Sequence, residues 1–173
     1  MPTPPAPAFR LYLLRHAKAG WALPGQKDFD RSLDDTGFAA AKMTGEMAAE
    51  RGFVPEVLLS SPAVRCRQTA EAFRCATVED RTIRYIDDLY TGAEDAYRDI
   101  ILGQSGAASL MVVGHNPVIE EILRDVLGEQ AAAIPYGYPP GALAVIDFPD
   151  RPQAGILPPG KLAAWLDPAC HAL

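Results

Sequence analysis

Residues 9–18 read FRLYLLRHAK, a mostly apolar run that gives way to basic side chains. The apolar part, Phe9–Leu14, is typical of a buried strand. Asp34–Arg51 then places apolar residues at helical spacing, and Val57–Leu59 is a second strand candidate. A buried strand, an amphipathic helix and another strand in this order indicate a layered α/β fold.

The rest of the chain continues this alternation. Further helices are predicted from Ser61-Pro62 to about Phe73, over Glu94–Leu102, and from Asn116-Pro117 through Leu127. Further strands are predicted over Thr82–Ile86 and Leu110–Val113, and the last strand over Ala142–Phe148. Ser61-Pro62 and Asn116-Pro117 each read as an N-cap followed by proline at the first helical position. The Pro- and Gly-rich segment 149–173 gives no secure prediction.

Length and charge narrow the class of protein. The 173 residues suffice for one domain, and four prolines in residues 1–8 predict a disordered leader before a single domain over 9–173. The net charge of −6 argues against nucleic acid as the partner. No apolar run approaches the roughly 20 residues that span a bilayer, and residues 1–8 lack signal-peptide features. We therefore expect a cytoplasmic protein that does not bind membranes.

The cysteines and histidines suggest neither a disulfide framework nor a metal site. Cys66, Cys75 and Cys170 form no C-x-x-C pair, and the chain has only three histidines. Some phosphatases use a cysteine with an arginine six positions later, but that position after Cys66 is Ala72. We expect no metal and no cofactor.

Basic side chains follow three of the predicted strands, at the point where each strand ends. The segments are LLRHAK at 13–18, SSPAVR at 60–65 and VVGHNP at 112–117. Ligands bind outside the carboxyl ends of strands in open α/β sheets, and helix N-termini follow the last two segments and favour anions. Two arginines and two histidines that converge at this edge predict a phosphate site. They are Arg15, His16, Arg65 and His115.

The same segments carry a resemblance to the histidine phosphatase superfamily. LLRHA is similar to the signature that opens the family, SSPxxRxxQTA at Ser60–Ala70 is similar to its second signature, and GHNP at Gly114–Pro117 looks like its third. Asp30-Arg31, with Leu33 and Gly37, matches the segment before the family's first helix. The resemblance implies a single three-layer α/β/α sandwich with a mostly parallel mixed sheet.

The resemblance also implies a role for each residue of the site. His16 would be the nucleophile that carries the phosphoryl group, and Arg15 and Arg65 would hold its oxygens. His115 would donate a hydrogen bond to the same group. Lys18 is a further candidate for binding phosphate, with a solvated loop lysine as the alternative.

Larger relatives place a glutamate general acid after the third strand, and this sequence departs from them there. It has IDDLY at 86–90, so Asp88 is our preferred acid, Asp87 the second and Glu94 a more distant one. For Asp88 and Asp87 the alternative is an ordinary loop or capping carboxylate. A weak or absent acid favours phosphohistidine, because an imidazole whose other nitrogen carries a proton leaves as a neutral group.

The spacing downstream of the predicted acid also bears on the substrate. Only about twenty residues separate Asp88 from the Leu110 strand, which leaves no room for the large helical cap of bigger relatives. An uncovered cleft can admit a side chain of a folded protein. Both features resemble the SixA-type phosphohistidine phosphatase branch.

Three functions follow as hypotheses. The first is a phosphatase that hydrolyses phosphohistidine on a protein through a covalent intermediate on His16. The second is a phosphomonoesterase or sugar-phosphate phosphatase that acts on a small phosphorylated metabolite, with Asp88 as acid. The third, of another class, is a non-catalytic adaptor that binds phosphate. The intact set of two arginines and two histidines argues against the adaptor.

Overall fold

The structure is a computed structural model, and it describes residues 6–77, 80–104, 106–153 and 155–171. Most of the predicted leader, residues 1–5, lies outside the described residues. The leader and the single domain over 9–173 therefore stay predictions.

Six strands among the described residues form one mixed sheet in the order β3-β2-β4-β1-β5-β6. The strands are β1 (Phe9–Arg15), β2 (Val57–Ser60), β3 (Ile83–Tyr85), β4 (Ser109–Gly114), β5 (Leu143–Phe148) and β6 (Lys161–Leu166). The first four in spatial order are parallel, whereas β5 is antiparallel to β1 and β6 is antiparallel to β5. The predicted mostly parallel mixed sheet is confirmed.

Helices cover both faces of this sheet. They are α1 (Asp35–Glu50), α2 (Val64–Thr77), α3 (Asp88–Thr91), α4 (Glu94–Leu102) and α5 (Val118–Leu127). Successive side chains of a strand point to opposite faces. Leu11 and Leu13 of β1 pack on the side of α4 and α5, and Tyr12 and Leu14 on the side of α1 and α2. Both faces of β1 are therefore buried, which explains its apolar sequence and confirms the three-layer sandwich.

Helix α2 begins at Val64, three residues later than the predicted cap at Ser61. The backbone N–H of Ser61 donates to the carbonyl of Val113 at 3.0 Å, so Ser61 still belongs to the sheet edge. Its hydroxyl lies 2.8 Å from Nε2 of His115. The prediction that the helix begins at Ser61-Pro62 was therefore wrong, although the Ser61 hydroxyl also accepts from the N–H of Ala63, just before the helix, at 3.3 Å.

The segment that gave no secure prediction contains a sixth strand, β6, so the prediction of Ala142–Phe148 as the last strand was wrong. β6 reads KLAAWL and pairs with β5 at the edge of the sheet. Alanine is depleted in strands, so pairing with β5 and the packing of Trp165 against Tyr138 stabilise a strand that local propensity does not predict.

The carboxyl ends of β1, β4 and β2 meet at one edge of the sheet. Arg15 pairs in register with Gly114, and Ser60 with Val113. Between β3 and β4 the described residues hold only the short helices α3 and α4, so the large cap domain that bigger relatives carry is absent there. No helix in the described part of the chain is both long and apolar enough to cross a membrane.

Candidate active site

One cavity at this sheet edge brings together the four residues that the motifs predicted. The cavity has a volume of about 630 Å³, and the described residues that line it are Arg15, His16, Asp28, Arg31, Arg65, Tyr90, Thr91, His115 and Asn116. The rings of His16 and His115 meet edge to face, with centroids 5.3 Å apart. Two imidazoles and three guanidinium groups around one open space suit a phosphoryl group.

His16 is held in one tautomer by its own loop. Its Nδ1 lies 2.7 Å from the carbonyl of Ala17, and a carbonyl only accepts, so Nδ1 carries the proton. Nε2 then bears the lone pair, and Nε of Arg65 donates to it at 3.3 Å. The N–H of Ala17 donates to the buried hydroxyl of Thr69 at 3.0 Å, which fixes this loop. The reactive nitrogen therefore faces the cavity arginine.

His115 lies between Ser61 and Arg65. Its Nδ1 is 3.3 Å from Nη2 of Arg65, and its Nε2 is 2.8 Å from Oγ of Ser61. A guanidinium only donates, so Nδ1 accepts and Nε2 donates to the serine hydroxyl. Sγ of Cys66 also lies 3.4 Å from Nε2, so all three of these side-chain partners of His115 come from the segment that follows β2.

Burial controls the charge of both histidines. Burial lowers the pKa of His16 to about 3, and the charges of Arg65 and Arg15 act in the same direction. Burial, again with the charge of Arg65, lowers the pKa of His115 to about 4. Both imidazoles are therefore neutral near pH 7, as a nucleophilic nitrogen requires.

We expect both histidines to remain neutral at pH 5, where an ordinary histidine with a pKa of about 6.5 is mostly protonated. Nitrogen-15 NMR of the histidine-labelled protein between pH 7 and 5, with His16→Ala and His115→Ala used for assignment, measures this directly. The spectrum should also place the His16 proton on Nδ1. A midpoint near 6.5 for either residue would contradict the burial argument.

Arg15 is fixed by the loop that precedes β5. Its Nη1 donates to the carbonyls of Gly137 and Tyr138 at 2.9 and 2.7 Å. The N–H of Gly137 in turn donates to the carboxylate of Glu120 on α5. Although partial burial opposes it, hydrogen bonding from Arg124 and Gly137 lowers the pKa of Glu120. Arg15 thus contacts the cavity from the end of β1, with its guanidinium held by an anchored loop.

Arg65 in the first turn of α2 is the most enclosed of the cavity arginines, with a side chain 8% exposed. Besides its contacts with the two histidines, Nη1 donates to the carbonyl of Asp28 at 2.7 Å and Nη2 to its Oδ2 at 2.9 Å. The guanidinium plane is therefore fixed from two directions.

The structure does not bring Lys18 or Asp88 to the residues that line this cavity. Nζ of Lys18 lies 3.2 Å from Oδ2 of Asp34, and the lysine side chain is 63% exposed. Asp88 is exposed at the start of α3, as is Asp87 just before it. Glu94 forms an ion pair with Arg98.

Sequence reasoning missed Asp28, Tyr90, Thr91 and Asn116 as lining residues. Arg31 had a signal, since Asp30-Arg31 matches the segment before the family's first helix. Asn116 lies inside the GHNP motif but was not singled out, and Asp28, Tyr90 and Thr91 lie outside the three motifs. No cluster of three or more His, Cys, Asp or Glu side chains in the described residues has the arrangement of a metal site.

Comparisons with known proteins address the family to which the chain belongs. The family model of the histidine phosphatase superfamily, branch 1, matches residues 11–89. A crystal structure from Agrobacterium tumefaciens, of a protein assigned as the phosphohistidine phosphatase SixA, is 42% identical with a TM-score of 0.81. It aligns over 91% of this chain and 97% of that one.

Two further relatives extend the comparison. A Nakamurella multipartitia structure with the same SixA assignment is 31% identical, aligns over 95% of this chain and 98% of its own, and has a TM-score of 0.72. An uncharacterized chloroplastic protein of Arabidopsis thaliana is 32% identical over 65% of this chain, and the match spans only 56% of that protein's length. The motifs, the fold and these matches together show that the chain belongs to the histidine phosphatase superfamily.

Proposed function

We propose that the protein is a phosphatase that hydrolyses phosphohistidine on a protein, with His16 carrying the phosphoryl group between two steps. The observation that carries this proposal is the lone pair on Nε2 of His16, which faces Arg65 beside His115 in one open cavity. A cytoplasmic location for this activity stays a prediction.

In the first step, Nε2 of His16 attacks phosphorus and the bond from phosphorus to the substrate imidazole breaks. The leaving imidazole departs neutral, because its other nitrogen already carries a proton. In the second step, water attacks phosphorus and the bond to Nε2 breaks. Inorganic phosphate leaves with both protons of the water, and His16 returns to its neutral form with the proton on Nδ1. Two displacements replace one difficult displacement.

The arginines would stabilise the phosphoryl group in both steps. Arg15 and Arg65 present planar donors whose fork suits phosphate oxygens. Such electrostatic stabilisation supplies most of the catalysis in phosphoryl transfer. His115 would join them by donating from Nδ1 in place of its contact with Arg65. The hydroxyl of Ser61 can donate as well as accept, so it can support Nε2 of His115 in that second tautomer.

The absence of a usable acid among the described lining residues supports imidazole as the leaving group. Asp28 is the one carboxylate among them. Although partial burial opposes it, hydrogen bonds from Arg31 and Arg65 lower the pKa of Asp28. Asp28 is therefore ionised near neutral pH and has no proton to donate to an alkoxide. The SixA assignment of the Agrobacterium relative supports the same substrate class.

Two exposed aromatic side chains, each next in sequence to a glycine that bonds to a cavity arginine, support a protein substrate. Trp21 is 93% and Tyr136 is 87% exposed. Trp21 follows Gly20, and Tyr136 precedes Gly137, and the carbonyls of these two glycines each accept a hydrogen bond from a cavity arginine. We call Trp21 and Tyr136 the aromatic rim. Tryptophan and tyrosine are enriched among the residues that dominate protein interfaces.

We expect a phosphohistidine protein to be turned over with a higher kcat/KM than an alkyl phosphate. Replacing the aromatic rim by Trp21→Ala and Tyr136→Ala should raise KM for the phosphoprotein about tenfold, the effect of losing roughly 1.4 kcal/mol of interface contact. Turnover of a small phosphoramidate should stay unchanged, because it does not reach the rim. Steady-state kinetics on the three substrates measures both effects.

The matched control is Ile156→Ala. Ile156 is 69% exposed but follows the carboxyl end of β5, which lies at the opposite sheet edge because β5 is antiparallel to β1. Ile156→Ala should leave all three substrates unaffected. A preference for alkyl phosphates would refute the proposed substrate, and equal losses on protein and phosphoramidate in the rim variant would refute a docking role.

A further inference from the structure

Asp28 is the one acidic side chain among the described residues that line the cavity, and the proposed steps leave it without a role. It begins a short 3₁₀ turn, Asp28–Asp30, in the loop between β1 and α1. A carboxylate in a phosphate site repels a phosphoryl dianion, so its presence there needs a reason.

Asp28 holds the outer edge of the Arg65 guanidinium through two different acceptors. The Asp28 carbonyl accepts from Nη1 at 2.7 Å, and its Oδ2 accepts from Nη2 at 2.9 Å. Because the guanidinium is planar and rigid, two such contacts fix both the position and the tilt of its plane.

The adjacent edge of the same guanidinium, formed by Nε and Nη2, faces the two imidazoles. Nε lies 3.3 Å from Nε2 of His16, and Nη2 lies 3.3 Å from Nδ1 of His115. Both distances exceed the usual 2.7–2.9 Å of a charge-assisted hydrogen bond, whereas the contacts with Asp28 lie within that range. The short contacts with Asp28 thus hold the Nη1–Nη2 edge of Arg65. The long contacts mark the Nε–Nη2 edge as the one that a phosphoryl oxygen would approach.

Asp28 is itself anchored by neighbouring side chains. Its Oδ1 accepts from Nη1 of Arg31 at 3.0 Å, and the hydroxyl of Tyr90 donates to Oδ2 at 3.3 Å. Nε of Arg31 donates to the carbonyl of Gly20 at 2.9 Å, and Phe29 packs edge-on against Tyr90. Asp28, Arg31 and Arg65 together carry a net charge of +1, so the group still attracts an anion.

We propose that Asp28 is a positioning residue that orients Arg65 toward the phosphoryl group held between His16 and His115. The inference rests on the proposed function, which makes Arg65 part of the clamp. With alanine at position 28, Arg65 keeps only the backbone carbonyl as an outer contact, and its plane can rotate about that contact. With asparagine, one amide oxygen replaces the two carboxylate oxygens that accept from Arg31 and Arg65, so the amide NH₂ faces one of the two guanidinium groups. A donor turned away from the transition state loses its stabilising effect.

Asp28→Ala and the isosteric Asp28→Asn should each lower kcat/KM for phosphohistidine by about tenfold to a hundredfold, the scale of a misplaced catalytic group. Asp28→Asn keeps the shape of the side chain and the backbone contact, so it guards against a folding defect in Asp28→Ala. The control is Asp30→Asn, an exposed residue of the same turn that should leave kcat/KM unchanged. Unchanged kcat/KM in both Asp28 variants would overturn the inference.

A double-mutant cycle distinguishes positioning from a direct role. If Asp28 acts through Arg65, Asp28→Asn should change single-turnover rates less than about twofold in an Arg65→Ala background, since coupled sites are not additive. A full additional loss in that background would overturn the inference, because Asp28 would then act on water or substrate by itself. A wild-type protein inactive on every phosphorylated substrate would instead refute the proposed function.

Discussion

His16→Ala should lower single-turnover hydrolysis of phosphohistidine by about 10⁴-fold or more, because removing a covalent nucleophile leaves only binding and electrostatics. The fold should survive, since the imidazole sits at a strand end and its contacts are with the Ala17 carbonyl and cavity side chains. Circular dichroism and thermal unfolding check the fold, and rapid-mixing kinetics checks the rate. Activity within tenfold of the wild type in a folded His16→Ala protein would contradict the assigned nucleophile.

Arg65→Ala should lower kcat/KM by about 10²–10³-fold, the loss typical of one donor that stabilises transition-state charge. The loss should be similar for phosphohistidine and for an alkyl phosphate, because Arg65 would bind the phosphoryl group that both substrates share. Steady-state kinetics of both substrates measures this. The loss is large because Arg65 is nearly buried and contacts both imidazoles.

Two variants serve as controls for Arg65→Ala. Arg67 lies on the same helix, and its guanidinium lies over the ring of Tyr85 at 5.0 Å, so Arg67→Ala should leave kcat/KM nearly unchanged. Asp88→Asn should do the same on both substrates, because Asp88 is exposed and does not line the cavity. A selective loss on the alkyl phosphate in Asp88→Asn would restore Asp88 as the general acid.

The layered fold and four of the cavity residues could be predicted because both depend on local sequence. The apolar runs of β1 and β4 are buried on both faces, and each ends directly in its motif. Parallel strands place their carboxyl ends at one edge, so Arg15 and His115 had to lie close together. Arg65 lies in the first turn of α2, the helix that follows β2, and reaches the same edge.

The residues that could not be predicted depend on tertiary contacts. Asp28 and Tyr90 lie 62 positions apart, in a loop and in the short α3, yet the Tyr90 hydroxyl contacts the Asp28 carboxylate. The sequence pointed to Asp88 as the general acid because it lies after the third strand, where larger relatives have a glutamate. In the structure α3 begins at Asp88 and leaves its side chain in solvent. Strand β6 consists mostly of Lys, Leu and Ala, which favour a helix, and depends on β5 for its conformation.

The claim that His16 carries the phosphoryl group is tested most directly by trapping the phosphoenzyme. Excess protein is mixed with a phosphohistidine protein labelled on phosphorus, denatured in alkali during the first turnover, and mapped by mass spectrometry. We predict label on the peptide that contains His16, stable in alkali, lost in acid, and absent from His16→Ala. Phosphate release without any labelled enzyme, or label on a residue other than His16, would contradict the mechanism.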